Sequence, residues 1–358
     1  MIDKVRAFFE LLFGSIVFWV SAFLLFNTIR YNGLSVEIGN YTQDDIQIPI
    51  RAFFAYATIL GLIIGVFYAI IEYLFDLYVS QKLIIGVNIL LKSLIYFILI
   101  IIILSFLSFS IEKQVGIDLP NERGWWRKDP FFWNTVVYFI TASIVFSFIR
   151  IANDKFGRGV FMNMLLGKYK RPKEEERILM FVDLKDSTKI AEQLGHETYS
   201  RFIQDCFKDL NNVLRQHDAE VYQYVGDEAV INWTNKKGFK NNNCINLYFA
   251  FQKTLLTRTD YYLTEYGFMP EFKAGVHSGK IMVAEVGTVK KELAFHGDVI
   301  NSASRIQSLC NDYNASLLIS ETILDHVNSN LFNSEEIKED FILKGKQEKL
   351  NVFRVSSK

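Results

Sequence analysis

Net charge is the first thing this chain lacks: its 358 residues carry 39 Lys and Arg against 39 Asp and Glu. A balanced chain with no long basic run interleaved with aromatics offers no electrostatic footprint for a phosphate backbone, which excludes nucleic acid as a partner. Cysteine is scarce as well. Cys206, Cys244 and Cys310 stand apart, without zinc-ligand spacing or the clustered count of a disulfide framework, and read as core fillers in a reducing compartment. Histidine gives no metal pattern: His196, His217 and His326 fall on loop or helix-surface positions, and His277 and His296 are not at ligand spacing. There is no internal repeat or low-complexity tract. The first apolar stretch is too long for a cleavable signal peptide, and no small-residue cleavage site follows before Arg30.

What is abundant is apolar surface, unevenly spread. Half of the residues are hydrophobic, 32 of them Phe, and the mean hydropathy of +0.15 averages a lipid-facing first part with a soluble second part. Four segments, roughly 7–29, 53–75, 89–111 and 131–149, are long and apolar enough to cross a hydrocarbon layer as helices. Lys4 and Arg6 precede the first, while Arg150, Lys155, Arg158, Lys168, Lys170, Arg171 and Lys173 follow the last. That bias puts both termini, and everything after the fourth span, on the cytoplasmic side of a cell (inner) membrane. Lys92 is expected to snorkel out of the third span or to mark its start. With few other polar groups, the four spans read as an anchor or receptor rather than a transporter.

The domain reading is therefore an all-α four-helix transmembrane domain over 1–150, a juxtamembrane linker helix over 151–176 and a soluble domain over 177–358. In the linker, Phe156, Val160, Phe161, Met164 and Leu165 form an apolar set ahead of the charged run from Lys168 to Arg177. Its basic residues can rest on anionic membrane lipid or pass a signal between the halves. In the soluble part, residues 178–182 read as a buried strand ending at Asp183, followed by a helix over about 197–216. Segments 220–225 and 229–233 form a hairpin with Gly226-Asp227-Glu228 at its tip. A long helix over about 241–266, strands 272–277 and 281–286 around Ser278-Gly279-Lys280, a helix over about 298–312 and short strands near 316–319 and 349–355 complete an α+β sandwich.

Asp183 at a strand end and Asp227 at a hairpin tip can converge at one sheet edge and hold Mg²⁺, which takes one or two protein carboxylates together with substrate phosphates. Taken singly, each reads more readily as a helix cap or turn former. Leu184-Lys185-Asp186-Ser187-Thr188 opens a helix whose unpaired N–H groups could cradle phosphate, or merely cap it. Asn301 and Arg305, four apart, share a helix face where an amide could position a ribose and a guanidinium could meet phosphate charge; a plain surface pair is the alternative.

Four pieces in order carry a resemblance. They are Phe181-Val182-Asp183-Leu184-Lys185-Asp186-Ser187-Thr188, Tyr224-Val225-Gly226-Asp227-Glu228, Ala274-Gly275-Val276-His277-Ser278-Gly279 and Gly297-Asp298-Val299-Ile300-Asn301-Ser302-Ala303-Ser304-Arg305. Over roughly 177–355 the chain resembles the class III adenylate and guanylate cyclases, of the membrane-anchored bacterial type. The resemblance implies a ferredoxin-like βαββαβ catalytic core and two cations, Mg²⁺ or Mn²⁺, on Asp183 and Asp227, with the Leu184 carbonyl as a further ligand. It implies that Asn301 and Arg305 orient the ribose and stabilise the transition state, that Lys344 contacts the triphosphate, and that the two residue sets meet across a head-to-tail homodimer. The implied activity is conversion of ATP or GTP to the 3′,5′-cyclic monophosphate in intracellular signalling.

Two positions depart from the family pattern. Gln223 stands where adenylate cyclases often carry Lys and guanylate cyclases Glu, and Ala294 stands where Asp or Cys completes base recognition. A glutamine amide donates and accepts, so it serves either purine, and Ala294 offers no side-chain hydrogen bond. ATP is the favoured substrate and GTP the alternative; a catalytically silent cyclase-fold module is the reading from another class. A diguanylate cyclase fits less well, because Tyr224-Val225-Gly226-Asp227-Glu228-Ala229 lacks that family's paired glycines and Asn301 and Arg305 have no counterpart there.

Overall fold

The computed structural model describes residues 2–41, 50–79, 83–115, 127, 130–156, 160–289, 291–342 and 349–358. The chain divides into two compact units, Met1–Asp154 and Lys155–Lys358.

The first unit contains helices α1 (Ile2–Tyr41), α2 (Ile50–Tyr78), α3 (Ile85–Val115) and α4 (Pro130–Phe156, which runs on into the second unit). Stretches Ala7–Ile29, Phe54–Tyr78, Gly86–Ile103 and Phe132–Asn153 are long and apolar enough to cross a membrane. Gly61 and Gly65 let α1 and α2 touch backbone to backbone: an added Cβ would stand 2.6 Å from Val20 Cα and 2.7 Å from Ile16 Cα, respectively. Trp19, Phe23, Tyr68, Tyr96, Phe139 and Phe146 are packed inside the bundle.

Lys92 departs from its expected snorkelling place. It is 8% exposed, inside α3, because two carboxylates on α2 meet it: Glu72 Oε2 at 2.6 Å and Asp76 Oδ1 at 3.3 Å. Arg150 of α4 joins the same pair, with Nη1 2.8 Å from Glu72 and Nη2 2.5 Å from Asp76, and Tyr96 Oη donates to Glu72 Oε1. A buried charge without such partners would be far costlier than a paired one, and here Lys92 and Glu72 are each paired.

The second unit opens with α5 (Val160–Leu165) and continues β1 (Lys173–Leu184), α6 (Ser187–Leu214), β2 (Glu220–Val225), β3 (Glu228–Thr234), α7 (Asn235–Phe239), α8 (Asn243–Thr257), α9 (Thr259–Tyr266) and β4 (Phe272–Val286). After these come β5 (Glu292–His296), α10 (Asp298–Asp312), β6 (Leu317–Ser320), α11 (Glu321–Leu324), β7 (Phe332–Ile342) and β8 (Lys349–Ser357). Strands run β2-β3-β1-β4-β6-β8-β7, with β5 paired to β4. The βαββαβ core is visible in this order, with β1 central and antiparallel to both β3 and β4.

Alternation along β1 explains its unbroken apolar run. Ile178, Met180, Val182 and Leu184 enter the core with Phe202, Cys206, Leu247 and Phe251 of α6 and α8. Leu179 and Phe181 face the other way, against Ile281, Val283, Phe295, Val299 and Ala303, and Tyr169 of the linker closes this second core. All three cysteines are free and buried, as expected of core fillers.

Several elements differ from the sequence reading: β5 and β7 are strands it did not contain, and α6 starts at Ser187 rather than near residue 197. The two strands expected around Ser278-Gly279-Lys280 are one continuous strand, because β1 pairs along it from Leu184↔Phe272 to Lys173↔Val283. Gly279 makes room for a helix instead of a turn: an added Cβ would lie 2.7 Å from Val299 Cγ2 of α10. The helix expected over 241–266 is broken at Arg258, whose guanidinium turns onto buried Asp209 at 2.8 Å. β1 begins at Lys173, within the stretch read as solvated linker, since Glu175 and Arg177 pair with one another at 2.6 Å.

Candidate active site

Strand parity and register place Asp183. It follows Leu179 and Phe181 on the α10 face, opposite Glu228 of β3 on one side and Lys273 of β4 on the other. Asp227 sits beside it in the β2–β3 turn, where Gly226 takes φ 61°, the left-handed value a tight hairpin favours. Burial raises the Asp183 carboxyl above its ordinary range; the nearby Lys273 ammonium opposes this and the Asp227 charge adds to it. Glu228 is pushed up to about 7, first by burial and then by Asp183 and Asp227. Negative charge therefore accumulates at this edge, and a divalent cation would relieve it. No group of three or more His, Cys, Asp or Glu side chains suited to a metal is found among the described residues. A two-carboxylate donor set suits Mg²⁺ or Mn²⁺ when phosphate oxygens complete the shell.

The segment after Asp183 is partly committed. Leu184 is buried, and the Lys185 N–H donates to the Glu271 carbonyl at 2.9 Å while its ammonium pairs with Glu271 at 3.0 Å. Asp186 takes φ 56° ahead of α6 and makes no side-chain cap. The Ile190 N–H already donates to the Asp186 carbonyl at 3.0 Å, so the amides of Ser187 and Thr188 are the helix-terminal donors that a phosphate could use.

Asn301 and Arg305 both lie on α10, Asn301 exposed and Arg305 half-buried. Gln307 of the same helix donates to Asp183 Oδ2 at 3.1 Å. At 3.6 residues per turn, the Asn301/Arg305 face lies about 140° around the helix from Gln307. Within one chain, the helix face turned to Asp183 is consequently not the face that bears Asn301 and Arg305.

Gln223 is exposed on β2, beside a register shift between Val221 and Gln223, and Ala294 of β5 is half-buried opposite Ala284. Their sequence neighbours are joined: the Tyr222 and Phe295 rings stack at 4.1 Å, and the Phe295 N–H donates to Tyr222 Oη at 3.1 Å. The segments expected to meet the base are thereby tied together in a single chain. Lys344 lies outside the described residues.

Lys273, Gln307 and Glu228 were not singled out from the sequence. Lys273 and Gln307 reach Asp183 only through strand register and helix docking. Glu228 had a visible signal in the acidic hairpin tip, but its proximity to Asp183 depends on β1–β3 pairing.

A family model described as the adenylate and guanylate cyclase catalytic domain matches residues 169–356. Adenylate cyclase 2 of Rhizobium meliloti (strain 1021) is 29% identical over 224 residues, covering 63% of this chain and 62% of that protein. The adenylate cyclase of Anabaena cylindrica is 23% identical over 186 residues, covering 50% of this chain and 36% of that one. Among solved structures, a bacterial light-regulated adenylyl cyclase superimposes with a TM-score of 0.52 at 14% identity, over 64% of this chain and 66% of the other, a likeness of fold. The chain spans less than two thirds of the length of each of these relatives.

Proposed function

The chain belongs to the adenylate and guanylate cyclase catalytic-domain family, and we propose that it is a membrane-anchored adenylate cyclase that converts ATP to 3′,5′-cyclic AMP and pyrophosphate at a homodimer interface. The observation that carries this reading is the split of the machinery around α10: Asp183 and Asp227 gather at one edge, while Asn301 and Arg305 occupy another face of the helix whose Gln307 touches Asp183. One chain then offers two half-sites, and a head-to-tail pair of chains completes two sites.

In each site, Asp183 and Asp227 of one chain hold the cations, and the first-turn amides of α6 receive phosphate oxygens. Divalent cations bound there supply charge neutralisation to the triphosphate and acidity to the ribose 3′-hydroxyl. Asn301 of the other chain orients the ribose so that the 3′-oxygen lies in line with the α-phosphorus. Arg305, fixed in charge, meets the negative charge that grows on the α-phosphate as the new P–O bond forms and the bond to pyrophosphate breaks. Lys344 is assigned to the triphosphate on the sequence pattern. Gln223 contacts the base and Ala294 leaves room beside it, and the adenylate cyclases among the relatives favour adenine. The reading of 1–150 as membrane anchor goes with this proposal, as do a cytoplasmic catalytic domain and a multi-pass anchor; the linker expected over 151–176 is shortened at its end, because β1 of the catalytic sheet already starts at Lys173.

The test is product formation by the full chain in lipid nanodiscs with ATP or GTP and Mn²⁺, with Asp183→Ala and Asp227→Ala as controls. Cyclic AMP that disappears in both controls supports the proposal. Cyclic GMP alone would reverse the base assignment, and no cyclic product from a folded dimer would point to a silent output module.

A further inference from the structure

Two buried donors converge on one oxygen of Asp183. Lys273 Nζ lies 3.4 Å from Oδ2, and Gln307 Nε2 donates to the same atom at 3.1 Å. They are only 8% and 5% exposed, and each is fixed in turn. Lys273 stands across the β1–β4 ladder from Asp183, and its ammonium also donates to Asn311 Oδ1 at 2.8 Å. Gln307 is brought within reach because α10 meets β4 with no side chain between them at Gly275, where an added Cβ would stand 2.2 Å from Gln307 N. Among the described residues, both contacts fall on Oδ2 and none on Oδ1.

We propose that Gln307, with Lys273 beside it, is a positioning residue for cation binding: by engaging Oδ2 it fixes the plane of the Asp183 carboxylate and so the directions in which its remaining lone pairs are offered to the cations. This rests on the two-carboxylate reading given above. The χ2 torsion of an aspartate is broad, so an untethered carboxylate must be ordered at the moment of binding, which weakens affinity. A neutral amide orders it without adding a charge that repels a divalent ion. Lys273 combines two opposed effects, orientation and like-charge repulsion, whereas Gln307 contributes orientation alone and so gives the cleaner test. The arrangement also gives α10 two duties in a head-to-tail dimer, since the helix that presents Asn301 and Arg305 to one site holds the metal carboxylate of the other.

The experiment is a nucleotide-free Mn²⁺ titration of the full chain in nanodiscs, followed by the electron paramagnetic resonance signal of free Mn²⁺. Wild type, Gln307→Met, Gln307→Asn and Asp183→Ala are compared, with melting in EDTA as the fold control. Gln307→Met is expected to raise the Mn²⁺ Kd about tenfold or more, and extra Mn²⁺ should restore most of its turnover, which a merely structural role would not produce. Gln307→Asn retracts the amide by one methylene and should give the same shift, so it carries the test if the Met variant does not fold. Unchanged Mn²⁺ affinity in the folded Gln307 variants, with binding lost in Asp183→Ala, would overturn the positioning role and leave the metal site standing. Wild-type Mn²⁺ binding by Asp183→Ala would remove the two-carboxylate reading and this inference with it.

Discussion

Replacing Gly275 with alanine tests how closely α10 must approach the sheet. The new Cβ would meet backbone: Gln307 N at 2.2 Å, Gln307 Cα at 2.6 Å and the Ala303 carbonyl at 2.8 Å. Ordinary van der Waals contact begins near 3.4 Å, so α10 or β4 must give way by about 1 Å. No side-chain rotamer can absorb this, which places the cost toward the upper end of the usual overpacking range of about 1–3 kcal/mol. For a unit of this size, that lowers the melting temperature by roughly 5–10 °C. On the proposed function the cost in rate is larger, because α10 carries Asn301, Arg305 and the Gln307 contact to Asp183 together. A displacement of about 1 Å in positioning groups can cost roughly a hundredfold in rate. The assay is cyclic-nucleotide formation at saturating ATP and Mn²⁺ by the full chain, with thermal melting alongside. Gly14→Ala serves as control, since an added Cβ there meets nothing within 4 Å. Wild-type turnover and melting in Gly275→Ala would refute the claim that backbone contact at this glycine sets the position of α10.

If the two residue sets meet across a homodimer, Asp183→Ala and Asn301→Ala should each be inactive alone. Unfolded and refolded or co-expressed together, they should recover about a quarter of wild-type activity, because half the dimers are mixed and each holds one intact site; no recovery would argue against shared sites. In the membrane unit, Glu72→Ala leaves Lys92 and Arg150 short of a buried partner at 2.6 and 2.8 Å. It should destabilise the bundle by about 3–5 kcal/mol, seen as early melting in detergent, and an unchanged melting temperature would show that the network adds little. Without metal, Glu228 is raised to about 7 and Asp183 is raised above its ordinary value. Protonation then favours the folded state, so the stabilisation is present below the unfolded carboxylate range and is lost as pH rises through about 7. Melting in EDTA should fall between about pH 5 and 8, Mn²⁺ should flatten the slope by replacing the protons, and Glu228→Gln should remove much of it. A pH-independent melting curve in EDTA would contradict this account.

Local patterns exposed much of the architecture. Four long apolar runs could hardly be anything but helices, and the apolar stretch ending at Asp183 had the continuity of a strand buried on both faces. The Gly226-Asp227 turn was readable because a tight hairpin needs a residue that accepts positive φ. Where pattern misled, a partner had intervened. Ser278-Gly279-Lys280 has turn composition, yet β1 pairs straight through it, and the glycine there admits Val299 rather than reversing the chain. Lys92 looked like an interfacial lysine because the carboxylates that neutralise it sit on α2, 16 and 20 residues away.

The amino-acid order by itself determined the family and set an apolar first part with four span-length helices apart from the rest, and it marked Asp183, Asp227, Asn301 and Arg305 as the candidate site residues, because these depend on residue type and spacing along the chain. Tertiary structure alone decided that Lys273 and Gln307 close on Asp183 and that Glu228 adds its charge to the same edge. It also decided that Asn301 and Arg305 occupy a different helix face from the contact to that aspartate. Those relations depend on strand register and on how near a helix can dock against a sheet, quantities set by packing between segments far apart in sequence.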